Sequence, residues 1–317
     1  MSLARIAGAI RKPTPLNSLI GSPTIAARTG IRKFSASQED MPMPLKDQVV
    51  WVLGGHGIIG RGVCVGFLKA GATVVMNSTS RDVLKQLQSD LNNPSNLICV
   101  RGTMHQPAGA TALMEEVMAK TDGQLKHVIA HSGVRWWGNI QKEAKEEATD
   151  GNLSNDAARF SQLAAQEPLR HYIATQVLLP KLRQVPGSSY TFLTGGAGDR
   201  ALLAQVNAHA VWGLAKAVSQ DARNSSVRIV ELRSNLHHEH LQDTLGQSEI
   251  MSIFRRSADI GEICAGMVAC KFGSRGLHHL NTFEDVDVFK SRFPCPSGVE
   301  GLPELFATQL PSAKPFS

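Results

Sequence analysis

Short apolar runs alternate with helix-spaced apolar positions along residues 49–130. Val49-Val50-Trp51-Val52-Leu53 is wholly apolar and ends in glycine, the pattern of a parallel strand buried on both faces. Gly54-Gly55-His56-Gly57-Ile58-Ile59-Gly60 follows, then a helical stretch with Ile59, Val63, Gly66, Phe67 and Ala70 on one side. Residues 72–76 predict a second strand, and Arg81 to Leu91 a second helix with Val83, Leu84 and Leu87 facing inward. Residues 96–100 and 126–130 predict two further strands around a helix near 113–118.

The rhythm continues with helices over 169–182, 203–222 and 260–270 and strands over 190–193, 227–232 and 277–280. Such alternation predicts an α/β fold, a Rossmann-type doubly wound parallel sheet flanked by helices on both faces and joined by right-handed crossovers. Residues 138–167 are polar and break the rhythm; they read either as an insertion or lid over a site, or as a long solvated helix-loop.

Charge is unevenly spread. The chain has 33 Lys+Arg against 27 Asp+Glu, and all six excess cations (Arg5, Arg11, Lys12, Arg28, Arg32 and Lys33) precede residue 35. The first acid is Glu39. An Arg-rich, Ser-bearing, acid-free start predicts a mitochondrial transit peptide over residues 1–34, and hence a matrix location; the other reading is a disordered basic arm. Arg32-Lys33-Phe34-Ser35 fits a cleavage pattern with Arg three positions before the cut. The expected organisation is then a flexible linker over 35–45, one nucleotide-binding domain over 46–283 and a tail over 284–317. The remaining body is formally neutral, which argues against a nucleic-acid footprint. No apolar run approaches the roughly 20 residues needed to span a bilayer. Cys64, Cys99, Cys264, Cys270 and Cys295 contain no Cys-x-x-Cys pair and read as small buried hydrophobes rather than metal ligands.

A pyrophosphate requires backbone N–H groups aimed at it with no side chains intervening, and a glycine-rich turn opening a helix supplies both. Residues Gly54, Gly55, His56, Gly57, Ile58, Ile59 and Gly60 lie between a predicted strand and helix at the start of a βαβ unit, so a dinucleotide is expected there. The end of the second strand, Asn77-Ser78-Thr79-Ser80-Arg81, lacks the acid that would accept bonds from an NAD ribose. Ser78, Ser80 and Arg81 instead favour NADP(H) over NAD(H), with Arg81 offering charge-assisted bonds to a 2′-phosphate and Asn77 also expected to line the cofactor; alternatively Arg81 is only an exposed first-turn residue.

From Lys46 to about Thr282 the chain resembles the short-chain dehydrogenase/reductase family. The glycine turn is similar to the family's Thr-Gly-Gly-x-Gly-x-x-Gly variant with Leu53 in place of Thr, and Gly187–Gly198, residues 210–217 (Ala-Val-Trp-Gly-Leu-Ala-Lys-Ala) and Asp259-Ile260-Gly261-Glu262 fall where similar family strings lie. The resemblance implies that Ala130, His131 and Gly133, in the string after the fourth strand, also line the cofactor. It implies too a proton relay of Tyr, Lys four residues on, Ser and Asn. The flanking strings put Ala204 and Ala208 at the Tyr and Lys positions, Thr194 or Gly195 at the Ser, and Glu167 at the Asn. The only tyrosines are Tyr172 and Tyr190, followed four residues later by Gln176 and Thr194.

Candidates for an alternative acid are therefore His131, Thr194 and His209, with structural roles for both histidines as the competing reading. Residues His237-His238-Glu239-His240 look like a ligand cluster, but neighbours in sequence point in different directions. Trp136-Trp137 reads as a pocket cap or a loop anchor. The apolar side of the 203–222 helix is ordinary amphipathicity, and the family's use of that helix as a dimer face implies a homodimer. Three functions stay open: a mitochondrial NADP(H) oxidoreductase with a non-standard proton donor, a catalytically silent nucleotide-binding subunit of a mitochondrial complex, and a regulatory binder of another nucleotide or flavin.

Overall fold

The computed structural model describes residues 44–131, 153–195, 202–234, 247–270 and 275–294. The strands are β1 (Val49–Leu53), β2 (Thr73–Ser78), β3 (Leu97–Arg101), β4 (Leu125–His131), β5 (Ser189–Gly195), β6 (Arg228–Ser234) and β7 (Gly276–Leu280). They form one sheet in the order β3-β2-β1-β4-β5-β6-β7, every neighbouring pair parallel. The helices are α1 (Ile58–Lys69), α2 (Arg81–Asp90), α3 (Pro107–Lys120), α4 (Leu153–Leu182), α5 (Leu202–Gln220), α6 (Gln247–Ala269) and α7 (Phe283–Arg292). This is the doubly wound arrangement that the alternation predicts.

Strand alternation divides the core in two. Val50, Val52, Val74 and Met76 face α1, α2 and α6, packing against Val63, Phe67, Leu84, Leu87, Ile260 and Ile263. Val49, Trp51, Leu53 and Val128 face α3, α4 and α5, against Leu113, Val117, Ile173, Leu178 and Ala215. The all-apolar β1 is explained by this: each of its five residues is buried, on one face or the other.

Helices α1 and α6 meet backbone to backbone. A Cβ at Gly66 would lie 2.2 Å from the Gly261 carbonyl carbon, and one at Gly261 would lie 2.0 Å from the Gly62 carbonyl oxygen. No side chain fits there, which fixes how α1 and the turn before it sit on the sheet.

Two elements run past the expected boundaries. Helix α4 begins at Leu153 rather than near residue 169, because Pro168 is accommodated inside the helix instead of starting it. Helix α7 opens with a reciprocal capping box between Thr282 and Asp285, and Val286 and Phe293 pack into the core. The packed domain thus extends beyond residue 283. The leader over residues 1–34, Trp136-Trp137, the 237–240 cluster and Cys295 lie outside the described residues. Burial pushes the Cys64 and Cys264 thiols up to about 12. No described helix is long and apolar enough to cross a membrane.

At the start of β6, Arg228 is buried and donates from Nη1 to the Cys270 carbonyl and from Nη2 to the Val268 carbonyl, both 2.7 Å, capping the end of α6. Arg228→Met should keep the packing of the stem but lose both bonds, lowering stability by about 2 kcal/mol. Urea denaturation would read this as a lower midpoint at unchanged slope.

Candidate functional site

Strand order reverses direction between β1 and β4, so a crevice opens beyond their carboxyl ends. The Gly54–Gly60 turn occupies its floor. Gly54 has φ +75°, a left-handed conformation that favours glycine, and a Cβ there would lie 3.1 Å from the His131 carbonyl oxygen. A Cβ at Gly55 would press on Cys64 Sγ and Met76 Cβ, both 3.2 Å away. At Gly60 it would stand 2.2 Å from the Gly54 carbonyl oxygen and 2.6 Å from Gly55 Cα.

Gly57 is different. Its φ is −74° and a Cβ would meet only the Gly54 carbonyl oxygen, at an ordinary 3.7 Å. Nothing in the described protein demands glycine here, so its bareness serves the crevice. Gly57 is also the N-cap of α1, which has no side-chain cap bond and no acid in its first turn. The first N–H groups of α1 are left for an anion. A diphosphate fits this floor.

Arg61, one helical position past the turn, holds it in place: its Nε donates to the His56 carbonyl at 3.2 Å and its Nη1 pairs with Asp90 at 2.6 Å. The side chain of Asn77 is turned inward, accepting from the Trp51 indole at 3.1 Å and donating to the Gly102 carbonyl at 3.2 Å. It braces the ends of β1, β2 and β3 rather than facing the crevice. Ser78 Oγ accepts from the Ser80 N–H, and Ser80 caps α2 by accepting from Val83 N–H, leaving both hydroxyl protons available. Arg81 is exposed at the first position of α2. Arg101, in register with Ser78, donates to the Thr79 carbonyl at 3.0 Å and sets a second guanidinium beside this loop. Sequence reading passed over Arg61 and Arg101; the signal for the latter is its place at the end of β3.

At the end of β4, Ala130 is buried and His131 lies against Gly54; Gly133 is outside the described residues. At the end of β5 the buried Thr194 donates its hydroxyl proton to Glu231 Oε1 at 3.0 Å. Arg233 donates to the same oxygen from Nε at 3.0 Å and Nη2 at 2.6 Å, and its guanidinium lies 3.8 Å above the Trp212 ring. His209 is exposed on α5, its Nδ1 donating to the Gln205 carbonyl at 2.8 Å and its ring against Trp212. Glu167, buried on α4, pairs with Arg170 at 2.7 Å. Tyr190 is buried in β5 and Tyr172 is exposed on α4, so neither tyrosine lies on α5. The three acid candidates are not gathered: Thr194 is bound to β6, His209 faces outward, and only His131 adjoins the glycine turn.

Residues 48–155 match the family model for short chain dehydrogenase. Among solved structures the chain is similar to a 3-ketoacyl-(acyl-carrier-protein) reductase from Brucella melitensis complexed with NADH (18% identity, TM-score 0.55, covering 74% of this chain and 97% of that one). A metagenomic short-chain oxidoreductase in complex with NADP gives 16% identity, TM-score 0.55 and coverage of 74% and 98%. A glucose/ribitol dehydrogenase-type member from Brucella melitensis gives 15%, 0.57, 76% and 97%. At such identities the structures speak for the fold alone. Among curated proteins none matches significantly. The family-model match begins at Gln48, just before β1, and contains the whole glycine turn and the switch point built above, and over that stretch the chain is similar to the short-chain dehydrogenases.

Proposed function

We propose that this chain binds NADP(H) across the β1/β4 crevice and acts as a mitochondrial matrix oxidoreductase that works without the Tyr-Lys relay, transferring hydride to or from a carbonyl or conjugated double bond. The observation that carries the binding half is Gly57, bare although the protein's own packing does not require it, at the uncapped start of α1. Bound there, the dinucleotide would supply or accept the hydride. The chain's own residues hold its diphosphate on the turn and its 2′-phosphate between Ser78, Ser80, Arg81 and Arg101. Of the three acid candidates, His131 is the one that lies against the turn. In Arg81→Ala/Arg101→Ala, NADPH affinity should fall about 30-fold while NADH affinity holds, since the lost bonds are charge-assisted ones to a phosphate absent from NADH. Calorimetry with both nucleotides checks this; parallel losses would defeat the NADP(H) assignment. Turnover of NADPH with a carbonyl panel, lost in His131→Ala, tests the chemistry.

Thr194 favours a second reading. Its single proton is committed to Glu231, so it has none to offer a substrate carbonyl. A nucleotide-loaded but silent subunit of a mitochondrial complex accounts for that; it would purify with dinucleotide, show no turnover and comigrate with a large assembly on native gels. For a homodimer the supporting surface is α4, where Leu169 and Tyr172 are exposed one turn apart.

A further inference from the structure

The carboxyl ends of β5 and β6 carry a polar group that the nucleotide reading leaves unused. Register places Thr194 beside Arg233 and Phe192 beside Glu231. Three donors, the Thr194 hydroxyl and Arg233 Nε and Nη2, converge on one oxygen of Glu231, its Oε1. Glu231 Oε2 and Arg233 Nη1 have no partner among the described residues. The Arg233 side chain is 15% exposed and that of Glu231 9%, so the pair is not wholly closed off from solvent. Stacking on Trp212 fixes the guanidinium plane. The result is a rigid donor next to a rigid acceptor, on the side of the sheet where ligands of open α/β folds bind.

Charge decides what suits such an edge. An anion drawn to Arg233 is repelled by Glu231 over nearly the same distance, and a cation meets the reverse, so in either case the Coulomb contributions largely cancel. A neutral group presenting a carbonyl oxygen next to an N–H escapes the repulsion and makes two charge-assisted bonds, its oxygen accepting from Arg233 Nη1 and its N–H donating to Glu231 Oε2. We propose that Arg233 and Glu231 form a recognition edge for a carboxamide or lactam group, with Trp212 and Thr194 holding the pair in position. This deepens the functional reading above, and rests on it only for the source of the amide, which is either the nicotinamide carboxamide of the bound dinucleotide or a substrate.

Ligand-observed NMR on the full chain, with and without NADPH, tests it using benzamide, benzoate and benzylamine as probes. In the unloaded protein benzamide should bind about tenfold more tightly than either charged probe, and Arg233→Met or Glu231→Gln should each weaken it about tenfold, the worth of one charge-assisted bond. Arg233→Met keeps the apolar stem over Trp212, and Arg233→Lys, which keeps the charge but lacks the fork, should be nearly as weak. If NADPH excludes benzamide and Arg233→Met also weakens NADPH, the dinucleotide supplies the amide; if loaded protein still binds benzamide, a substrate does. Benzoate or benzylamine binding as well as benzamide, no probe binding in either state, or variants that circular dichroism shows folded yet bind normally would overturn the assignment. Failure of the nucleotide reading is seen separately, as absence of NADPH heat while the unloaded probe binding stands.

Discussion

NADPH affinity should fall at least about 100-fold in Gly57→Asp while the folded state gains a few tenths of a kcal/mol. The two effects have opposite signs because one residue serves two masters. As N-cap of α1, position 57 has extended backbone dihedrals, φ −74° and ψ 172°, that any residue adopts. An Asp there accepts from the open N–H groups of the first turn and places its charge at the positive end of the helix dipole. Those N–H groups are the ones a diphosphate needs, and a carboxylate among them both occupies and repels. Gly60→Ala gives the contrasting signature. Its Cβ would fall 2.2 Å from the Gly54 carbonyl oxygen, so the turn or α1 must move, and stability drops by about 3 kcal/mol together with binding. Thermal melts and calorimetry on both variants separate the two roles. Gly57→Asp binding NADPH normally would remove the turn from the cofactor site.

What the sequence made legible follows from how strongly each residue type constrains its surroundings. An apolar run ending in glycine can hardly be anything but a buried strand before a phosphate turn, and β1 runs over the predicted residues 49–53. Helix α4 is longer than the 169–182 pattern predicts: Pro168 lies inside it, and tertiary packing of Ile173, Ala174 and Leu178 anchors the turns that follow. Glu231 and Arg233 escaped notice since alternation within Arg-Ile-Val-Glu-Leu-Arg-Ser reads as one solvated face; only the neighbouring strand reveals that the face is buried and the charges paired. Asn77 was read as a cofactor contact from its position alone, and its bonds to Trp51 and Gly102 depend on side-chain direction, which strand periodicity does not give. Arg101 needed the β2–β3 register, a long-range fact.

Acid should destabilise the protein well above the carboxylate range, by about 4 kcal/mol between pH 7.5 and pH 5. Two buried histidines cause it. His127, on β4, is wedged between Ser189 and Gln48, 2.8 Å from Nδ1 and 2.9 Å from Nε2. The Gln48 amide nitrogen is turned to the Pro44 carbonyl, so its oxygen faces the ring and accepts from Nε2, and Nδ1 accepts the Ser189 hydroxyl. That network needs the neutral ring. Burial, with Arg228 and Lys126 nearby, pushes its pKa down to about 3. His171, on α4 against Phe192, is pushed to about 4 by burial and by Arg170. Both folded values lie below the unfolded one, near 6.5, so the unfolded chain binds more protons and stability falls as pH drops below that point, continuing until the folded values are reached. At pH 5 each ring contributes about 2 kcal/mol of loss, together a large share of the 5–15 kcal/mol typical of a folded domain. Urea midpoints at pH 7.5, 6 and 5 give the slope directly, and His171→Asn should remove about half of it. A flat profile over that range would mean that the rings take up protons as readily in the folded state as in the unfolded one, in conflict with the bonds that His127 makes.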